Sequence, residues 1–173
     1  MVVVEELIKF QLKDKAWWNY LEEDLQELLD ESFLLAEMGE NWQGKFHDYA
    51  FVVFPAAKAY EGFLKKIFRD MDFISDEDYF GKHFRIGKAL NPSLPKDLEE
   101  HSVYKKLVRY CGGSTLADKL WDTWKNARNL TFHWFPNEKN ALSYTESKGA
   151  LLMIIEAMDE AFKGCKIKSS NSR

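Results

Sequence analysis

Apolar residues recur along this chain at three- and four-residue steps almost throughout, and no run of alternating, turn-bounded apolar positions stands out as a strand. Leu21, Leu25, Leu28, Leu29, Phe33 and Ala36 form such a stripe. It predicts a long amphipathic helix from about Trp17 to Met38, closed by Gly39 as a left-handed cap. The opening "MVVVEELIKFQLKDK" reads as a shorter first helix. Tyr49, Val52, Val53, Ala56, Tyr60, Phe63, Leu64 and Ile67 make the next stripe, starting near Asp48. Pro55 should kink this helix or mark its true first turn, because its ring blocks the bond to residue 51.

From Ser75 to Pro95 the signals are short and mixed, with Gly81, Gly87 and "NPSLP" leaving room for only one or two helical turns between them. "DLEE", Asp97 to Glu100, has capping-box spacing and opens a helix that Gly112 and Gly113 stop. Ser114 or Thr115 starts another, broken by Pro136 and Asn137. Ser143 and Glu146 repeat the box spacing ahead of a strongly apolar last helix carrying Leu151, Leu152, Ile154, Ile155, Met158 and Phe162. The predicted architecture is all-α: an up-and-down bundle of four to five main helices in one domain, residues 1–165, with a frayed basic tail at 166–173.

Composition agrees with one compact core: the 173 residues are 46% hydrophobic and 30% charged. No stretch approaches a membrane span, and the glutamates of the opening segment suit neither a secretory signal nor a transit peptide, so the expectation is a cytoplasmic chain away from membranes. A net charge of −4 argues against coating duplex DNA, which requires neutralising many phosphates, but leaves room for a local phosphate site. Lys58, Lys65, Lys66, Arg69, Lys82, Arg85 and Lys88 concentrate positive charge mid-chain, with Asp70, Asp72, Asp76, Glu77 and Asp78 among them; a solvated mixed-charge face is the plain reading. Cys111 and Cys165 lie outside any CxxC or Cys/His pattern and read as reduced, small hydrophobes.

The chemistry concentrates in "WDTWKNARNLTFHWFPNEKN", residues 121–140. Leu116, Leu120, Trp121, Trp124 and Ala127 face inward, and Arg128, four residues after Trp124, shares that side. A partly buried guanidinium needs an anionic partner, from this chain or from a ligand. Glu61, beside the stripe of the Pro55 helix, is the internal candidate, and the pair has a purely structural reading as well as a functional one. His133 lies five residues beyond Arg128, about 140° around a regular helix, so a continuous helix would hold the two apart. Pro136 and the β-branched Thr131 favour a loosened last turn, and a site shared between two copies of the chain is the other route to bringing them together. Packing beside Phe132, Trp134 and Phe135 is the alternative for the imidazole.

An Arg followed by His after four to six residues is common by chance, so its context carries the weight: Asn129 directly after the arginine, the end of a long amphipathic helix, and one more apolar helix to follow. In this setting "RNLTFH", Arg128 to His133, resembles the shortest form of the motif of HEPN-superfamily ribonucleases (higher eukaryotes and prokaryotes nucleotide-binding). "AAKAYEGFLKKIF", Ala56 to Phe68, is similar to the preceding long helix of HEPN toxins of the RNase LS kind, with Glu61 in the place of their supporting acid. The likeness covers residues 48–162. It implies a helical bundle that dimerises with its motifs facing, and a metal-independent, cofactor-free endoribonuclease acting as a toxin or antiviral-defence effector, restrained by an antitoxin or regulatory protein. His133 would act as general base or acid, Arg128 would clamp the scissile phosphate, Asn129 would orient the phosphate or the imidazole, and Glu61 would hold Arg128. The products would be 2′,3′-cyclic phosphate and 5′-hydroxyl ends.

Other chemistries find little support. HExxH, GxSxG and a glycine-rich phosphate loop are absent, and His47, His83 and His101 each lack a second ligand at metal spacing. Trp17, Trp18, Trp121, Trp124 and Trp134 suit burial better than base stacking. Two further readings stay open: a non-catalytic HEPN-type module that binds a nucleotide or a partner protein, and a purely structural interaction domain with no pocket common to Arg128 and His133.

Overall fold

The computed structural model describes residues 12–136 and 140–165, without the side chains of 96 and 97. Residues 1–11 of the first helix expected over 1–15, the break at Asn137, the capping role of Asp97 and the tail at 166–173 lie outside these; the end of that expected helix is a 3-10 turn, Leu12–Asp14. The described residues form an all-α bundle with no strand: α1 (Glu23–Gly39), α2 (Ala50–Asp70), the short α3 (Asp76–Phe80) and α4 (Ile86–Ala89), α5 (Val103–Cys111), α6 (Thr115–Thr123) and α7 (Tyr144–Gly164). Among them no helix is long and apolar enough to cross a membrane.

Helix α2 is the centre. Val52, Val53, Ala56, Ala59, Tyr60, Phe63, Leu64, Ile67 and Phe68 are all fully buried on it. A helix apolar on most of its circumference belongs inside, and α1 and α7 pack on it. Pro55 does not begin the helix, which starts at Ala50 and runs through it. Next to the proline, the amide of Ala56 donates to Ser32 Oγ of α1 at 2.8 Å. Ser32 is fully buried, so its hydroxyl supplies an acceptor where the proline disturbs the backbone ladder and water cannot enter. Asp48 does act at the helix start, as expected: its Oδ1 accepts from Ala50 N at 2.8 Å and Leu142 N at 3.1 Å, fastening α2 to the approach of α7.

Helix α1 starts later than its apolar stripe suggests, at Glu23, after two 3-10 turns at Leu12–Asp14 and Trp18–Tyr20. Tertiary contacts hold this entry. Trp17 is fully buried and donates from Nε1 to Asp159 Oδ1 at 2.7 Å, while Lys15 Nζ meets the other oxygen of Asp159 at 2.6 Å. Gly39 is not a left-handed cap. It is the last residue of α1, and a Cβ there would lie 2.6 Å from Tyr144 Cε2, so its smallness lets α1 and α7 approach. Helix α5 begins at Val103 under a Ser102 cap, after a 3-10 segment Lys96–His101, rather than at "DLEE". Gly112 closes it in the left-handed region (φ 69°), and the Ser143–Glu146 capping box opens α7, both as predicted. Between α2 and α5 the two short helices match the expected irregular connection, and Ser75 with Asp78 makes a further capping box.

The end of α2 is a Schellman turn. Phe73 N donates to Phe68 O (2.8 Å) and Asp72 N to Arg69 O (2.9 Å), with Asp72 at φ 57° where glycine is usual. Asp72→Gly is therefore expected to stabilise the fold by about 1 kcal/mol in urea denaturation, by removing left-handed strain. Ser32→Ala is expected to cost about 1–3 kcal/mol, the penalty of orphaning a buried amide. In a Pro55→Ala background that cost should shrink by at least about 0.5 kcal/mol; strict additivity would separate Ser32 from the proline turn.

Candidate functional site

The helix that carries the motif changes character where the chemistry begins. After α6, residues Trp124–Asn129 form a π-helical turn, Leu130–Phe132 a 3-10 turn, and His133 is extended (φ −111°, ψ 135°). The widened turn leaves carbonyls without their α-helical donors, and Thr131 Oγ1 donates to Asn126 O at 2.7 Å. Loosening of the last turn was legible from Thr131 and Pro136; its π geometry was not. One tertiary reason is the seat of Trp124, which packs so closely on α4 that a Cβ at Gly87 would come within 2.5 Å of its indole Nε1. π turns inside α-helices occur frequently at functional sites.

Arg128 leaves this turn half-buried and meets Glu61 of α2, Nη2 to Oε2 at 3.2 Å. The guanidinium also stacks over the Trp124 ring, 4.9 Å from its centroid. The pair is 35% and 30% exposed, at the edge of the core. One nitrogen contacts one carboxylate oxygen, so a fork of five N–H donors keeps most of them for a further anion. Asn129 is half-buried beside it and its amide makes no hydrogen bond among the described residues.

His133 is exposed. Its ring lies 6.2 Å from that of Phe135, and among the described residues the imidazole makes no hydrogen bond or ion pair. Its carbonyl accepts from Asn140 Nδ2 at 3.1 Å, which pins the backbone after the helix end. It is neither packed into an aromatic core nor bonded to Arg128. The contacts of α2 explain the separation. Glu61 meets Arg128 at one level, whereas Phe54, seven residues earlier, meets Phe132 edge to face at 5.4 Å. Seven helical residues span about 10 Å, so the His133 end and the Arg128 end sit at different heights along α2.

The row of α2 that joins the two levels consists of the exposed Phe54 and Lys58 and the half-buried Glu61, with Lys58 Nζ 5.9 Å from the Phe54 ring centroid. Phe54 and the stacking role of Trp124 were not singled out from sequence, while Lys58 figured only in the basic mid-chain concentration and Phe132 only as a packing neighbour of His133. The i, i+4 and i, i+3 spacings of Phe54, Lys58 and Glu61 were the available signal. Of the tryptophans, Trp17, Trp18 and Trp124 are buried and only half of Trp121 is, whereas Trp134 stands 83% exposed beside His133. Cys111 lies at the surface and Cys165 inside, both as free thiols, and burial pushes Cys165 up to about 12, which keeps it protonated. Among the described residues no group of three or more His, Cys, Asp or Glu could hold a metal ion.

Because the Glu61–Arg128 pair is a third exposed, Glu61→Gln is expected to cost less than about 1 kcal/mol of stability in thermal or urea denaturation. Trp124→Ala, which empties a buried indole seat, should cost about 3–5 kcal/mol.

Comparison with protein-family models, with characterised proteins and with solved structures yields no match, so the fold and its side chains are what bear on function.

Proposed function

We propose that this chain is a metal-independent endoribonuclease of HEPN type, working as a cytoplasmic toxin or defence effector. The observation that carries the reading is Arg128: held by Glu61 and Trp124 at a π turn, half-exposed, with most of its donors unspent, a few residues before a solvent-facing histidine. A guanidinium so held is pre-oriented for a phosphodiester, and electrostatic stabilisation of the charge growing on phosphorus-bound oxygens is its natural task.

The roughly 10 Å offset along α2 gives the site its proposed form, a groove between two copies of the chain. There two His133 imidazoles serve one phosphodiester. One takes the proton of the ribose 2′-hydroxyl as that oxygen attacks phosphorus; the other protonates the 5′-oxygen as the P–O5′ bond breaks. The bond formed is P–O2′, so the products are a 2′,3′-cyclic phosphate and a 5′-hydroxyl, and DNA, lacking the nucleophile, is not cut. Asn129, with its amide unengaged, orients the phosphate or an imidazole, and Glu61 positions Arg128. A toxin of this kind is restrained by an antitoxin or regulatory protein.

The second reading is a non-catalytic HEPN-type module that binds a nucleotide or partner protein. It is favoured by Glu61 already balancing the charge of Arg128 and by the absence of a bond between Arg128 and His133.

On single-stranded RNA, His133→Ala is expected to lower the cleavage rate by about 10²–10⁴-fold and Arg128→Ala by about 10²–10³-fold, with circular dichroism and melting temperature unchanged. Cleavage should persist in EDTA and leave cyclic-phosphate ends. Wild-type rates in either variant would overturn the nuclease reading, and saturable binding without turnover would establish the second. Growth arrest on expression in bacteria, relieved by either substitution, reports the same distinction in cells.

A further inference from the structure

Away from the motif, the irregular segment between α2 and α5 encloses a cleft of about 700 Å³, within the size range of small-molecule sites. It shares no lining residue with the Arg128 site, and its chemistry is distinct. Phe73, Phe84, Leu94 and Leu98 supply half-buried apolar surface, above the buried Ile74 and Ala89. Nitrogen-bearing side chains converge on this surface from three directions: His83, Arg85 and Lys88 from the α4 region, His101 from the 3-10 segment, and Lys106 from α5.

Lys106 is the telling residue. It is half-buried, and its Nζ donates to the carbonyl oxygen of Phe73 at 2.7 Å. Among the described residues it has no carboxylate partner, although most of the half-buried lysines described do: Lys15 meets Asp159, Lys66 meets Glu22, Lys105 meets Glu99 and Lys119 meets Glu156. A backbone carbonyl fixes the direction of the ammonium group without neutralising it, and two N–H donors remain. An ammonium partly withdrawn from water and left unneutralised carries a desolvation cost, and an anion in the cleft would relieve it. Arg85 is held in a similar way, with Nη1 on the carbonyls of Lys82 (2.6 Å) and Phe84 (3.2 Å), while Lys88, His83 and His101 make no side-chain hydrogen bond or ion pair among the described residues.

Two carboxylates also line the cleft. Asp78 is engaged in the capping box, accepting from Ser75 N at 3.3 Å and Ser75 Oγ at 3.0 Å. Asp72 is exposed on the left-handed residue of the Schellman turn. Against them stand three permanent cations and two imidazoles, so the surplus is positive in a protein whose net charge is −4.

We infer that this cleft binds a small organic phosphate with a flat apolar body, the class to which nucleotides belong: the phosphate on Lys106, Lys88 and Arg85, the body against Phe73, Phe84 and Leu98. A phosphate monoester matches this site better than a carboxylate does, because it carries close to two charges and three acceptor oxygens for donors arriving from several sides. The inference does not depend on the nuclease reading, since none of these residues belongs to that site.

Calorimetric titration of the full chain with AMP tests it, with inorganic phosphate and adenosine as the separate halves of the probe. Saturable one-to-one binding of AMP is expected, with each half binding at least tenfold more weakly. Lys88→Glu, a surface change that leaves the fold intact, and Lys106→Gln should each weaken AMP at least tenfold, whereas Arg128→Ala should leave its affinity unchanged. The inference is overturned if AMP fails to saturate at millimolar concentration, if Lys88→Glu binds like the parent chain, or if Arg128→Ala is the variant that loses binding. Equal affinity for inorganic phosphate would overturn the organic part, reducing the cleft to a simple anion site.

Discussion

A helix buried on most of its circumference is the constraint from which the rest of this structure follows. Fully burying each large apolar side chain of α2 contributes about 1.5–3 kcal/mol, and α1, α7 and the segment after α6 are arranged so that this surface meets protein rather than water. The same burial removes water as a backbone partner. Pro55 lies inside that dry stretch, and a single hydroxyl, Ser32 Oγ, serves the neighbouring amide from the facing helix. Even Tyr60 obeys the rule: fully buried, it donates its phenol proton to the carbonyl oxygen of Leu120, and burial raises its pKa far enough to keep that proton in place.

What α2 leaves uncovered is as informative as what it buries. Phe54, Lys58 and Glu61 form a row beside the motif helix, and its two ends have counterparts there: Phe132 against Phe54, Arg128 against Glu61. Arg128 is thus neither sealed nor free. The carboxylate and the indole face hold its direction, and its exposure keeps it reachable. A desolvated arginine with a bidentate partner would be inert structure, and one pointing into water would be undirected charge. Arg128 lies between these two cases, paired through one nitrogen and about a third exposed.

Charge is handled differently in the two basic regions. Toward the end of α2 two cations are neutralised by carboxylates: Lys66 pairs with Glu22, and Arg69 pairs with Asp76 while lying over the rings of Tyr79 and Phe80. This is the mixed-charge, solvated face that the interspersed acidic residues suggested. Farther on, at Arg85, Lys88 and Lys106, carbonyls replace carboxylates as partners or no partner is present, and positive charge gathers over an apolar floor. One basic stretch therefore divides into a partly neutralised surface on α2 and a cleft where carbonyls take the place of carboxylates.

Much of the fold was written in local signals. The apolar stripes, the Ser143–Glu146 box and Gly112 each act through neighbours within a turn or two, and α2, the end of α5 and the start of α7 stand where those signals put them. Glu61 as the neighbour of Arg128 was also legible, because a charge on an apolar stripe demands a partner and the α2 stripe offered one at its edge. Other features needed the packed molecule. The late start of α1 depends on Trp17 reaching Asp159 and the smallness of Gly39 on the ring of Tyr144, while the π turn seats Trp124 against Gly87. All are contacts between residues far apart in the chain, which periodicity does not encode. The height difference between Arg128 and His133 belongs to the same class. Spacing along a chain sets which face of a helix two residues share, but only the helices packed around them decide whether they meet.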